Sequence, residues 1–186
     1  MPNEREILYR LKDGNVAAFE EILSAYERRI YSFLVRMTGN REEAKDLTQD
    51  TFLKLYRNHP KIDPESNFQS WLFMIAANTA RDWFRRHKEP LIYLDDLPEG
   101  ALPETKEGEG PYYKAEQAER VRLVDKALSK IKPAYRHIIL LFYHEDLSYE
   151  EIAATLKLPT GTVKTNLHRA KKELVKLLSQ AYEQDY

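Results

Sequence analysis

Apolar residues recur along this chain at intervals of three and four positions, the period of one face of an α-helix. Phe19, Ile22, Leu23, Tyr26 and Ile30 keep this spacing, and Phe33, Leu34 and Met37 carry the stripe to Gly39-Asn40. That pair is a stop signal, because Gly and Asn tolerate left-handed backbone. A second helix is predicted over about 41–58, with Ala44, Leu47, Thr51, Phe52 and Leu55 on one face and Pro60 and Pro64 after it. A third starts near Asn67 and carries Phe68, Trp71, Leu72, Ile75, Ala76, Thr79 and Trp83, an apolar stripe read as core. Further helices are predicted over 113–131, closed by Pro133, and over 134–143. A closely joined pair follows at 148–158 and 160 to about 178. Sustained two-residue alternation is missing, so the expected fold class is all-α, without a sheet.

Gly and Pro interrupt this pattern mainly in one place. Residues 89–111 read EPLIYLDDLPEGALPETKEGEGP, acidic throughout, with four prolines and three glycines. Such a stretch cannot hold a helix or bury much apolar surface. It reads as a flexible acidic linker between two small helical domains, 1–88 and 112–186. A long surface loop inside one domain is the other reading, and structureless loops of that length are unusual in compact folds.

Composition narrows the chemistry. The chain has no Cys, which removes disulfides and thiolate chemistry and suits a reducing compartment. Its 29 Lys and Arg nearly balance 30 Asp and Glu. Balance does not exclude nucleic acid, since a local basic face suffices. The charged start, Met-Pro-Asn-Glu-Arg-Glu, is unlike a signal peptide, and no apolar run approaches the roughly 20 residues of a membrane span. A cytoplasmic protein without direct membrane insertion is expected. No cofactor is expected either: the five His are scattered, and no HExxH motif occurs. His144-Glu145-Asp146 with Glu150 could suit a metal, but fits a turn before a helix start better. Catalysis is the least supported class.

The strongest local signal is SYEEIAATLKLPTGTVKTNLHRAKKELVKLL, residues 148–178. Ser148 and Glu151 form an S-x-x-E capping box, so a helix starts there. Leu158-Pro159 breaks it and Thr160 caps the next. Along that second helix Val163, Leu167, Ala170 and Leu174 form the apolar stripe. Thr162, Lys164, Thr165, His168, Arg169 and Lys172 lie opposite. Small residues and hydrogen-bonders at the helix start suit base edges, and Lys and Arg along its flanks suit phosphates. Between Leu156 and Lys176 six basic residues face one acidic residue, Glu173. This is a helix-turn-helix for duplex DNA, weighed against an ordinary amphipathic hairpin with a solvated basic face.

Two N-terminal segments ask for more than packing. Asp46, Gln49, Asp50 and Leu53 share one outward helix face, suited to docking on a basic partner helix. Taken alone, a solvated face explains it equally well. Near the end of the third helix, Asn78, Arg81, Arg85, Arg86 and Lys88 accompany aromatic residues. Basic side chains beside aromatic platforms hold unstacked single-stranded bases, and an Asn amide can read a base edge.

DLTQDTFLKLY, FQSWLFMIAANTARDWFRR and SYEEIAATLKLPTGTVKTNLHRAKKEL, in this order and at these distances, resemble the extracytoplasmic-function (group IV) sigma factors of bacterial RNA polymerase. The resemblance covers nearly the whole chain. It implies sigma region 2 up to about Lys88 and sigma region 4 from about Pro111. It implies that Asp46, Gln49, Asp50 and Leu53 dock on the largest polymerase subunit. The helix from Asn67 to Lys88 and the loop before it would melt the −10 element, with Asn78 near the pocket for a flipped base. Thr162, Lys164, Thr165, His168, Arg169 and Lys172 would read the −35 element in the major groove. Core polymerase, promoter DNA (duplex at −35, single-stranded at −10) and an anti-sigma factor are the implied partners. Lys45 and Asn166 depart from the family's usual residues. The acidic linker would either mimic nucleic acid in a basic channel or act as a plain tether. The alternative function is a two-domain helix-turn-helix regulator that binds duplex DNA without polymerase.

Overall fold

The computed structural model describes residues 3–87 and 111–184, with side chains described outside 111–118 and 182–184. The 89–110 stretch and Lys88 lie outside the described residues. The described residues form α1 (Glu4–Lys12), α2 (Val16–Thr38), α3 (Arg41–Arg57), a 3-10 turn (His59–Lys61), α4 (Phe68–His87), α5 (Pro111–Lys130), α6 (Pro133–Ile139), a π-helical turn (Leu140–His144), α7 (Tyr149–Leu156) and α8 (Thr160–Gln184). No strand occurs among them.

Local chemistry sets the boundaries. Asn15 accepts the Ala18 N–H at 2.9 Å and starts α2, which Gly39 ends in the left-handed conformation at φ 71°. Asn40 then accepts the Glu42 and Glu43 N–H groups at 3.0 and 3.2 Å and starts α3. Caps of this kind each stabilise a helix by about 1 kcal/mol. Because the connection is this short, α2 and α3 run antiparallel, and α4 packs on both. Ile22, Ile30, Phe33, Leu55 and Leu72 are fully buried between them. The short α1 buries Ile7, Leu8 and Leu11 against α2, a helix that the sequence pattern did not predict.

In the second half α5, α6, α7 and α8 surround Ile131, Ile138, Leu141, Ile152, Val163 and Ala170. Between α6 and α7 the backbone winds through the π turn, and Glu145 behind it is 1% exposed. The two halves also pack on one another, α7 against α4, and α5 and α6 against α2. Nothing in the hydrophobic pattern foretold this contact.

Candidate protein and nucleic-acid interfaces

Three surfaces carry the sequence-predicted residues. The first is the outer face of α3. Ala44, Leu47, Thr48, Thr51, Phe52 and Leu55 turn inward, which leaves Asp46, Gln49, Asp50 and Leu53 exposed. Leu53 is 51% exposed. Tyr56 extends the same row at 38% exposure, its ring edge-on to Phe19 at 5.1 Å. The sequence reading did not include Tyr56, although its i+3 spacing from Leu53 places it there.

The second surface lies on α4. Asn67 caps this helix by accepting the Ser70 N–H at 2.9 Å. Leu72, Ile75, Thr79 and Trp83 are buried, and Trp83 donates its indole N–H to Glu43 Oε2 at 2.6 Å. Asn78 is half-buried, while Arg81 and Arg85 are exposed on its side of the helix. Arg85 pairs with Asp82 at 3.2 Å. Arg86 is exposed too, about 80° round the helix from Asn78. One core assignment is corrected: Trp71 is only half-buried, in contact with Phe68 at 6.1 Å, on the same side as Asn78. Lys88, also assigned to this surface, lies outside the described residues.

The third surface is the α7–α8 pair. The capping box is present: Ser148 Oγ accepts the Glu151 N–H at 3.2 Å, and the Ser148 N–H donates to Glu151 Oε2 at 2.8 Å. Partial burial pushes the Glu151 carboxyl up, but hydrogen bonds from Ser148, Ser70 and Asn67 outweigh it and hold it low. Lys157 ends α7 with left-handed backbone at φ 54°. On α8, Val163, Leu167 and Ala170 are buried, which turns Lys164, Thr165, His168, Arg169 and Lys172 to solvent, with Thr162 half-buried. Lys164 Nζ sits 5.4 Å over the Tyr149 ring, itself stacked on Phe142 at 5.2 Å. A cation held over an aromatic face keeps part of its position without losing its charge. The Thr165 hydroxyl donates to the Gly161 carbonyl at 2.9 Å. Gly161 has open space where a side chain would project. No packing or positive φ requires a glycine there.

A fourth feature was not anticipated. An apolar groove of about 550 Å³ runs between α5, the π turn and α8, with Val124, Leu128, Leu140, Tyr143 and Val175 among its walls and Lys171 at its side. His144 and Glu145, weighed as metal ligands but read as a turn before a helix start, pair with each other, His144 Nδ1 to Glu145 Oε1 at 2.7 Å. His144 contacts Arg36, and Glu145 accepts from Arg29 Nη2 at 2.7 Å. No described helix is long and apolar enough to cross a membrane.

Residues 22–89 match the Sigma-70 region 2 family, and residues 122–174 match Sigma-70 region 4. The chain is 34% identical over 175 residues to the ECF RNA polymerase sigma factor SigW of Bacillus subtilis, covering 91% of this chain and 93% of that protein. It is 33% identical over 175 residues to the RNA polymerase sigma factor CarQ of Myxococcus xanthus, covering 92% and 95%. Among solved structures it resembles CnrH in complex with the cytosolic domain of CnrY, with TM-score 0.66, 23% identity and coverage of 95% and 97%. It resembles equally the sigma factor RpoE in complex with the anti-sigma factor NepR from Bartonella quintana, with TM-score 0.66, 23% identity and coverage of 87% and 96%. These two structures share its fold. The order of the two regions, matched by relatives along almost their entire length, makes this chain a member of the extracytoplasmic-function sigma factors of the sigma-70 family.

Proposed function

We propose that this chain binds core RNA polymerase through the α3 face and carries it to promoters read at −35 by α8 and at −10 by α4. The observation that carries the reading is the presence, on one chain, of three separate solvent-facing surfaces of different chemistry. One is acidic with an exposed Leu53, one pairs arginines with a half-exposed Trp71, and one is basic around an open Gly161. A regulator acting without polymerase needs only the last.

Asp46, Gln49, Asp50 and Leu53 meet a basic helix of the polymerase. Lys164, Thr165, His168, Arg169 and Lys172 lie along the −35 major groove, with Thr162 at its entrance. Asn78, with Arg81 and Arg85 on its side of α4, takes the non-template strand at −10, and Arg86 and Lys88 reach neighbouring phosphates. Trapping an unstacked base offsets the few kcal/mol of extrusion, so melting needs no hydrolysis and the chain has no catalytic centre or cofactor of its own. The domain division is 1–88, 89–111 and 112–186, and the protein works in the cytoplasm, where polymerase is. An anti-sigma factor is the expected inhibitor, with a helix seated in the apolar groove beside Tyr143 and Val175.

Charge reversal tests the α3 assignment. Asp50→Arg places a cation against the basic partner and is expected to weaken core binding at least about 30-fold, the size of an interface hot spot. Binding of −35 duplex by the free chain should stay unchanged. Equal core affinity of wild type and variant would remove the α3 face from the interface.

A further inference from the structure

Helix α1 lies before the residues that match region 2, and its faces meet different neighbours. One face buries Ile7, Leu8 and Leu11 against α2. Glu4 accepts the Tyr26 hydroxyl and Arg10 pairs with Glu21, which fixes the helix to α2 along its length. Another face carries Arg5, Tyr9 and Lys12, spaced by four and three residues. It meets the segment that leads into α4. Glu65 accepts from Arg5 Nε at 2.5 Å, from Arg5 Nη2, and from the Tyr9 hydroxyl at 2.8 Å. His59 Nδ1 donates to the Lys12 carbonyl at 3.0 Å. Gly14, left-handed at φ 83°, lies so close that a Cβ there would stand 3.4 Å from the His59 ring. An exposed ion pair alone counts for little, but a bidentate arginine sharing its carboxylate with a tyrosine is a network.

The braced segment ends at the −10 surface. Asn67, Trp71, Asn78 and Arg85 follow one another at helical intervals along one side of α4, so a strand laid along that row runs on to residues 63–66. Asp63, Glu65, Ser66 and Asn67 are exposed there, above buried Ile62 and Pro64. Inside the loop, Asp63 Oδ1 accepts the Glu65 N–H at 3.1 Å, and its carbonyl accepts the Ser66 N–H at 3.1 Å and the Ser66 hydroxyl at 2.8 Å. These bonds shape the turn. Its exposed edge is held from outside, by α1 through Glu65 and His59. A loop that takes up an extruded base binds best when already ordered, because every freely moving residue must otherwise be immobilised on binding. Glu65 would also repel a phosphate, and the Arg5 charge offsets that repulsion.

We propose that α1 braces the loop at 62–67, and that Arg5 and Tyr9 are positioning residues for −10 recognition, acting through Glu65. The proposal rests on the −10 reading of α4 given above and adds to it an element outside the region 2 match. Arg5 and Tyr9 act without touching DNA. Their loss therefore changes how well the −10 bases are told apart, and leaves sequence-independent binding as it was.

Two measurements test it. In the free chain, Arg5→Glu should speed amide hydrogen exchange at Glu65 and Ser66 by about 5-fold and leave α2 and α3 as protected as before. In holoenzyme, permanganate reactivity follows promoter opening on a promoter mapped by run-off transcription and on copies substituted at single −10 positions. Arg5→Glu should cut the preference for the mapped promoter by about 5-fold at unchanged core affinity. Arg5→Glu combined with Glu65→Arg should restore both the preference and the slow exchange. The cation added by Glu65→Arg acts alike on every copy, so charge alone cannot mimic that rescue. Unchanged exchange in Arg5→Glu overturns the proposal, as does opening that slows by one factor on every copy. Wild-type holoenzyme that opens all copies at the same rate would contradict the −10 reading instead, and the exchange result would then decide the brace by itself.

Discussion

At the scale of single residues, the groups that matter most are ordinary letters in unusual places. Arg36, Asp125 and Arg136 look like surface charges in the sequence, yet all three are buried. Burial pushes the Arg136 guanidinium down to about 10, still charged at neutral pH, and its four carbonyl acceptors explain why it is tolerated. Burial likewise pushes Asp125 up, against the pull of Arg36 and His144. His137 is the clearest titration site. Burial, helped by Arg81 and Arg136, pushes it down to about 4, against about 6.5 when exposed. The unfolded chain therefore takes up the proton first as pH falls. Stability is complete above pH 6.5 and is lost between there and pH 4. Urea unfolding at pH 7.5 and pH 5 should show a loss of about 2 kcal/mol from this group, and His137→Leu should flatten that dependence. Identical pH slopes for the two proteins would show that His137 takes up its proton as readily in the fold as in the unfolded chain.

At the scale of elements, α8 makes the sharpest prediction. Gly161 meets no neighbour and sits in a helical turn, so Gly161→Ala should leave thermal stability unchanged or slightly raised. On the proposed reading the same methyl faces the −35 duplex, and −35 binding should fall about 10-fold. Unchanged DNA affinity would move the contact elsewhere on α8. The elements themselves were legible where apolar spacing is long and capped. That holds for α2, α3 and α4, and for α7 with its Ser148 box and Pro159 break. It fails for α1, whose nine residues hold too few apolar positions for a period to stand out. The π turn after Ile139 was also invisible, because its residues continue the helical pattern of α6. Trp71 was misplaced because an aromatic residue at core spacing is usually core; here it falls at the edge between the buried stripe and the Asn78 side.

At the scale of the molecule, separate surfaces with separate chemistry explain how a nearly neutral chain can serve both a protein partner and DNA. The candidate site residues were readable because exposed charges and amides at helical spacing stand out against an apolar stripe. The packing of one half on the other was not, since it depends on pairs such as Arg36 and Asp125, 89 residues apart, that no local period links. The central claim is that this chain confers promoter choice on a polymerase. Run-off transcription with purified core polymerase on a genomic fragment library, with and without the chain, tests it most directly. The account predicts transcripts that require the chain and start downstream of a shared pair of −35 and −10 sequences. Duplex binding by the chain alone, with no chain-dependent transcript, would contradict it and favour a regulator that acts without polymerase.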